Sequence, residues 1–323
     1  YVYIPAEARD AVIRVAAESL EIRMIAVGGL PSKVAALPVG DVAVVINSGT
    51  ADLSVIRSTP QDDKVETLPT LPAVNAMAVS PSGESVVIYY STELAESGDP
   101  VGDLQTIQVL VFEPGKDKTK IRQVSVGFHP TAVHFHEEGT QAYVVTDDGV
   151  SIIDLHGLAD GTIAHTVPVT IDALEKPDDR EVFITRDGRY AVIRDIHKTD
   201  LRIVDLVEET MSTVTLHGLP TDLDLVPGMN RCIVIMREQD QAVVVDFKRV
   251  ADGEEDALVQ VDLTGSYAGA AAVSAAGDRA VLYSTTDAMK SVAVMDLETQ
   301  GYPWVTYPVQ KIVKGVAISA AGQ

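Results

Sequence analysis

The 323-residue chain predicts an all-β fold, a seven-bladed β-propeller of four-stranded antiparallel blades. Three observations carry that prediction. A strand-turn-strand unit recurs with a period of about 47 residues, within the roughly 40–50 of propeller blades. Its apolar runs are β-branched, aromatic or small and lack the 3.6-residue spacing of an amphipathic helix. The last residues also read as the first half of a repeat whose second half stands at the start of the chain.

The third strand of each blade ends in an acid or another polar residue. These strands read Val12-Ile13-Arg14, Val55-Ile56-Arg57, Val111-Phe112-Glu113, Ile152-Ile153-Asp154, Ile203-Val204-Asp205, Val244-Val245-Asp246 and Val294-Met295-Asp296. Second strands keep step with them at 2–4, 42–46, 86–90, 142–145, 191–193, 232–235 and 280–283. Before most of these stands a turn: Ser80-Pro81-Ser82-Gly83, Glu137-Glu138-Gly139, Thr185-Arg186-Asp187-Gly188, Val226-Pro227-Gly228 and Ser274-Ala275-Ala276-Gly277. Proline presets φ at the start of such a turn and glycine accepts positive φ near its end, so each is a hairpin connection.

Ile318-Ser319-Ala320-Ala321-Gly322-Gln323, read on into Tyr1-Val2-Tyr3, parallels Val273-Ser274-Ala275-Ala276-Gly277-Asp278 and the strand after it. The expectation is a C-terminal strand pairing into the N-terminal blade, which would cover an otherwise open sheet edge. Residues 312–323 with 1–29 then form one blade, followed by 30–70, 71–127, 128–174, 175–218, 219–265 and 266–311, all within a single domain 1–323. A native sequence that continues past both ends, with further blades or another domain, is the alternative.

Composition narrows the function. The chain has 47 Asp and Glu against 25 Lys and Arg, a formal net charge of −22, and is 46% hydrophobic. That is enough apolar surface for a packed core, and the acidic excess repels nucleic acid phosphates and anionic headgroups. No run approaches 18 apolar residues, so nothing in the sequence spans a membrane as a helix. The single Cys232, inside Cys232-Ile233-Val234-Ile235-Met236, excludes an intrachain disulfide and reads as a buried small hydrophobe. The chain opens directly on the strand-like Tyr1-Val2-Tyr3-Ile4, so the expectation is either a cytoplasmic chain or one whose leader has been removed, the start within a strand favouring removal.

Ala78-Val79-Ser80-Pro81-Ser82-Gly83, Ala142-Tyr143-Val144-Val145-Thr146 and Val150-Ser151-Ile152-Ile153-Asp154-Leu155 give the chain its family likeness. It resembles the YVTN-type β-propeller repeat family across essentially its whole length. The resemblance implies a seven-bladed propeller, found at bacterial or archaeal surfaces or in the periplasm, and serving as a lactonase-like enzyme or as a binding scaffold. The only tryptophan is Trp304, and the paired GH and WD signature of WD40 blades is absent.

Loops between second and third strands gather on one face of a propeller, and here they carry Glu93, Glu96, Asp99, Asp103, Asp147, Asp148, Asp195 and Asp200. This acidic rim is a candidate surface for a basic protein partner or for a divalent cation such as calcium, which takes several oxygen ligands. Against that stand the frequency of Asp in ordinary turns and the absence of any D-x-[DN]-x-[DN]-G loop. The loop from Ser91 to Gln105 is the longest of the set and the first place to look for a partner.

His134-Phe135-His136 puts two imidazoles on one face of a strand, with His129 upstream. His134, His136 and Asp224 are the candidate metal ligands, set against a hydrogen-bonded core His134 and a His136 that occupies the turn position of Ser80 and Ser274. Residues 248–256 are expected to form a solvated hairpin, and Tyr302-Pro303-Trp304-Val305-Thr306-Tyr307-Pro308 either a partner hot spot or a packing cluster.

No GxSxG, HExxH, GxxxxGK[ST] or GxGxxG motif occurs. The reading is a non-enzymatic extracytoplasmic propeller that binds protein, as a scaffold or as a subunit of a surface assembly. The alternative is a lactonase-like or metal-dependent hydrolase at the mouth of a central tunnel, with Asp224, His134, Asp195 and Glu181 as the residues to test.

Overall fold

The computed structural model describes residues 1–113, 116–170, 176–284, 286 and 290–318. The chain divides into two compact units, residues 1–168 and 169–323. Among the described residues the strands form seven sheets in which, the two-residue strand Thr162–Ile163 apart, neighbours in the chain pair antiparallel, the arrangement of a seven-bladed all-β propeller.

In the first unit, sheet one holds β1 (Val2–Ala6), β2 (Ala11–Val15) and β3 (Ile22–Ala26), and sheet two holds β4 (Pro31–Ala36), β5 (Val42–Asn47), β6 (Asp52–Ser58) and β7 (Asp63–Pro69). Sheet three contains β8 (Ala76–Val79), β9 (Ser85–Tyr89), β10 (Thr106–Val111) and β11 (Lys120–Ser125). Sheet four follows with β12 (Ala132–Phe135), β13 (Gln141–Val145), β14 (Val150–Asp154) and, after the two-residue β15 (Thr162–Ile163), β16 (His165–Val167). β15 departs from the pattern, because it leaves its own blade and runs parallel to β11 on the outer edge of sheet three.

In the second unit, sheet five comprises β17 (Arg180–Ile184), β18 (Tyr190–Asp195), β19 (Asp200–Asp205) and β20 (Thr210–Thr215), and sheet six comprises β21 (Asp222–Val226), β22 (Arg231–Met236), β23 (Gln241–Asp246) and β24 (Leu258–Asp262). Sheet seven is β25 (Ala270–Val273), β26 (Arg279–Tyr283), β27 (Ser291–Asp296) and β28 (Trp304–Pro308).

Middle strands are buried on both faces, which is why they read as continuous apolar runs rather than as alternating ones. On β5, Ala43 and Val45 pack toward sheet one with Val12 and Ile25, while Val44 and Ile46 pack toward sheet three with Val86 and Ile88. In the second unit Cys232 and Val234 face Tyr190 and Val192, and Ile233 and Ile235 face Ala280 and Leu282. Each Val, Ile or Leu so buried contributes about 1.5–3 kcal/mol. Cys232 is fully buried, and desolvation holds its thiol well above the ordinary range.

The predicted hairpin turns recur with one geometry. Gly83, Gly139, Gly188, Gly228 and Gly277 all take φ between 66 and 75°. At three of these turns a hydroxyl closes the loop: Ser80 Oγ accepts from Ser85 N–H, Thr185 Oγ1 from Tyr190 N–H and Ser274 Oγ from Arg279 N–H, at 3.0–3.2 Å.

One expectation meets a different outcome, and another falls partly outside the described residues. Residues 248–256 do not form a plain hairpin: Phe247–Ala251 is a short helix, α1, capped by Asp246, whose side chain accepts from Arg249 N–H. Phe247 and Val250, three residues apart, turn to one side and drop into the apolar cluster of sheets five and six. The expected tail strand is not shown. Sheet one has three strands, residues 315–318 have no strand pairing, and residues 319–323 lie outside the described residues.

Candidate functional site

The long connection between β9 and β10 is an ordered structure. Asn75 clamps its start, with Nδ2 donating to Ser91 O at 2.8 Å and Oδ1 accepting from Ser91 N–H at 2.7 Å. A 3-10 turn follows at Thr92–Leu94. Asp99 then accepts from Glu96 N–H at 2.9 Å, and Asp103 Oδ1 accepts from Gln105 and Thr106 N–H, both at 2.8 Å. Gly102 lies so close over the Tyr90 ring that a Cβ there would meet it at 2.5 Å, so only glycine lets the loop return along this path. Beneath it, burial first and Glu93 second push the Tyr89 phenol up to about 12, which keeps it a donor to Thr131 O.

Sheet four supplies the other side of the site. Phe128 N–H donates to Asp148 at 2.6 Å and Asp147 N–H to Phe128 O at 2.8 Å, tying the turn before β12 to the turn after β13. His129 takes φ +58° between them, and its N–H donates to Leu104 O of the long loop at 2.7 Å. The imidazole then bridges two segments: Nδ1 lies 3.1 and 3.2 Å from the Asp147 carboxylate oxygens, and Nε2 is in hydrogen-bond contact with Thr92 Oγ1. An ionised carboxylate only accepts, so Nδ1 carries a proton, and with Nε2 unprotonated the ring offers that lone pair to the Thr92 hydroxyl. Thr92 is exposed, whereas the side chains of His129 and Asp147 are only 15% and 23% exposed.

The predicted acids fall into two groups. Asp99, Asp103, Asp147 and Asp148 brace the loop and turns just described. In the second unit Asp200 accepts from the Thr215 hydroxyl at 2.8 Å, and Asp195 accepts from His197 N–H at 2.9 Å and pairs with Lys198 at 3.1 Å. Burial raises the Asp195 carboxyl, but those bonds outweigh it and the group sits below its ordinary range. Glu93 and Glu96 point their carboxylates outward at the surface of the long loop.

His134 pairs across from Tyr143 on β12, and burial pushes its imidazole down toward the neutral form. His136 Nδ1 accepts from Glu138 N–H at 3.2 Å inside the hairpin turn, much as the hydroxyls of Ser80 and Ser274 serve theirs. Asp224 belongs to the second unit, where burial and the nearby Asp222 raise it to about 6. Glu181 on β17 is engaged by Arg194 on β18, within sheet five. Among the described residues no three His, Cys, Asp or Glu side chains form a group able to hold a metal ion. Thr92 was not singled out by sequence. The signals near it were the length of its loop, the adjoining Glu93, and His129 and Asp147 elsewhere in the chain.

No family model matches the chain, and a search of curated proteins found no match. Solved structures do match. Dihydro-heme d1 dehydrogenase NirN, in complex with DHE, is 14% identical with a TM-score of 0.57 over 96% of this chain and 64% of NirN. Sqt1 from Chaetomium thermophilum is 16% identical with a TM-score of 0.50 over 89% of this chain and 74% of Sqt1. AztD from Citrobacter koseri is 12% identical with a TM-score of 0.44, covering 94% of this chain and 93% of that one. The chain thus spans a little under two thirds of NirN's length. At these identities the likeness to NirN and Sqt1 establishes the propeller fold.

Proposed function

We propose that the protein is an extracytoplasmic binding scaffold that docks a protein partner on the long loop of sheet three and the adjoining turns of sheet four. One observation carries this reading: the braced loop leaves Leu94 52% and Val101 72% exposed, the adjoining turn of sheet four leaves Phe128 44% exposed, and the exposed acids Glu93, Glu96, Asp99 and Asp148 belong to the same segments. Large apolar side chains on a preorganised loop supply binding energy, and their acidic surround favours a partner with basic residues around an apolar anchor. The net charge of −22 draws such a partner in at low salt. Placement outside the cytoplasm rests on the YVTN resemblance. Among the described residues no helix is long and apolar enough to cross a membrane.

Site-specific photo-crosslinking tests the reading. A benzoylphenylalanine at Val101 should capture one recurrent partner, and Leu94→Ser with Phe128→Ser should abolish the capture. The same probe at Lys248, on α1 in the other unit, serves as the control. Equal capture from both positions, or capture indifferent to the two serine substitutions, would defeat the proposal.

A further inference from the structure

The geometry points to a second property of this surface, beyond docking: Thr92 is a nucleophilic hydroxyl, activated through His129 and Asp147, that accepts acyl groups from carboxylic esters. Three segments distant in sequence converge to build it. Thr92 and His129 are 37 residues apart, and His129 and Asp147 are 18 apart. Asp147 fixes the imidazole by accepting from Nδ1–H, which aims the Nε2 lone pair at Thr92 Oγ1. The order of exposure suits the chemistry, with the hydroxyl at the surface and the base and its orienting carboxylate behind it. A nucleophile bonded to a base that is itself held by a third group is the arrangement by which hydroxyl groups become reactive near neutral pH.

The step balances without any redox partner. Thr92 Oγ1 attacks the ester carbonyl carbon, an O–C bond forms, and the hydroxyl proton passes to His129 Nε2. As the tetrahedral adduct collapses, the C–O bond to the alcohol breaks and the departing alkoxide takes the proton from Nε2. The products are an acyl-Thr92 ester and a free alcohol. Water, deprotonated by the same Nε2, then releases the carboxylic acid and restores Thr92. Leu94 lies two residues from Thr92 and Phe128 next to His129, both exposed, and the exposed acids Glu93 and Asp148 belong to the same two segments. The fitting substrate class is therefore an uncharged or cationic ester with an apolar acyl chain.

The test is acylation of the full-length protein by p-nitrophenyl acetate, followed by peptide mass spectrometry. The expected result is an acetyl group on Thr92, retained in Thr92→Ser and absent from Thr92→Val. His129→Gln should slow acylation about 100-fold, the order of a general-base contribution. Asp147 acts through His129 as a positioning residue, so Asp147→Asn should lower the maximal rate while leaving the half-saturating ester concentration unchanged. Thermal melts of every variant establish that each is folded. Acetyl groups confined to lysine and tyrosine, or a His129→Gln protein acetylated on Thr92 at the wild-type rate, would overturn the assignment. Crosslinking through Val101 is read separately, so lost acylation with retained partner capture removes this inference alone.

Discussion

Single side chains divide here between bracing turns and standing in buried positions that carry an electrostatic cost. Asp224 is the clearest of the latter. Its carboxyl titrates near 6 in the folded chain because burial, reinforced by Asp222, disfavours the anion, against an ordinary 3.8. The folded state therefore holds a proton on Asp224 that the unfolded state has already lost between those values. This contribution to stability is fully present below about pH 4 and lost as pH rises through about 6. Asp224→Asn should accordingly raise the melting temperature at pH 7 and converge on the wild type at pH 4. Melts at unit intervals of pH check this, and a variant less stable at pH 7 would contradict the assigned burial penalty. At this scale the sequence was a partial guide. Asp147 stood out as an acid in a turn and His129 as a nearby imidazole. Their meeting with Thr92 depends on the path of two separate loops, which no local pattern encodes. Of the acids that looked like a cation surface, Asp99, Asp103 and Asp195 accept backbone N–H groups within their own loops, because a short carboxylate beside a free backbone N–H is satisfied locally.

Strands and hairpins were legible because their causes are local. β-branched runs buried on both faces, and a positive-φ glycine late in each turn, recur whatever the neighbouring blade does. The turns also offer a comparison between two glycines of nearly the same conformation. Gly228 takes φ +71° with open space where a Cβ would go, while Gly277 takes φ +75° with Pro227 O only 2.3 Å from that point. Gly228→Ala should cost about 1–2 kcal/mol, the left-handed backbone penalty alone. Gly277→Ala should cost distinctly more, since backbone oxygen has no rotamer by which to move aside. Urea titrations of the two variants give the difference directly, and equal losses would show that the turn relaxes freely. Helix α1 was not legible, because its charged residues resemble a solvated hairpin and its two anchors, Phe247 and Val250, are too few to show a period. Asp246 starts it by accepting from Arg249 N–H and also pairs with Arg231 at 2.9 Å. Asp246→Ala should cost about 1 kcal/mol for the cap, with little added by the partly exposed ion pair.

For the molecule as a whole, the period of about 47 residues gave the number and order of the sheets. The parallel excursion of β15 was invisible, since a two-residue strand has no pattern of its own. Charge is the other whole-chain property, and it acts on stability as well as on partners. A net −22 distributed along the sequence repels itself most when the chain is compact. Lowering the Debye length from about 30 Å at 0.01 M salt to about 8 Å at 0.15 M removes most of that repulsion between exposed acids, while the buried pairs are much less affected. The melting temperature should therefore rise with sodium chloride, each kcal/mol relieved being worth roughly 2–4 °C for a chain of this size or somewhat smaller. Tetramethylammonium chloride separates screening from site binding, since a bulky cation screens as sodium does but cannot be coordinated by carboxylates. Equal rises in the two salts identify screening as the cause. A rise confined to sodium, or a much steeper one in millimolar calcium chloride, would instead mean that the surface acids collect a cation, and the turn-bracing role assigned to them would have to be revised.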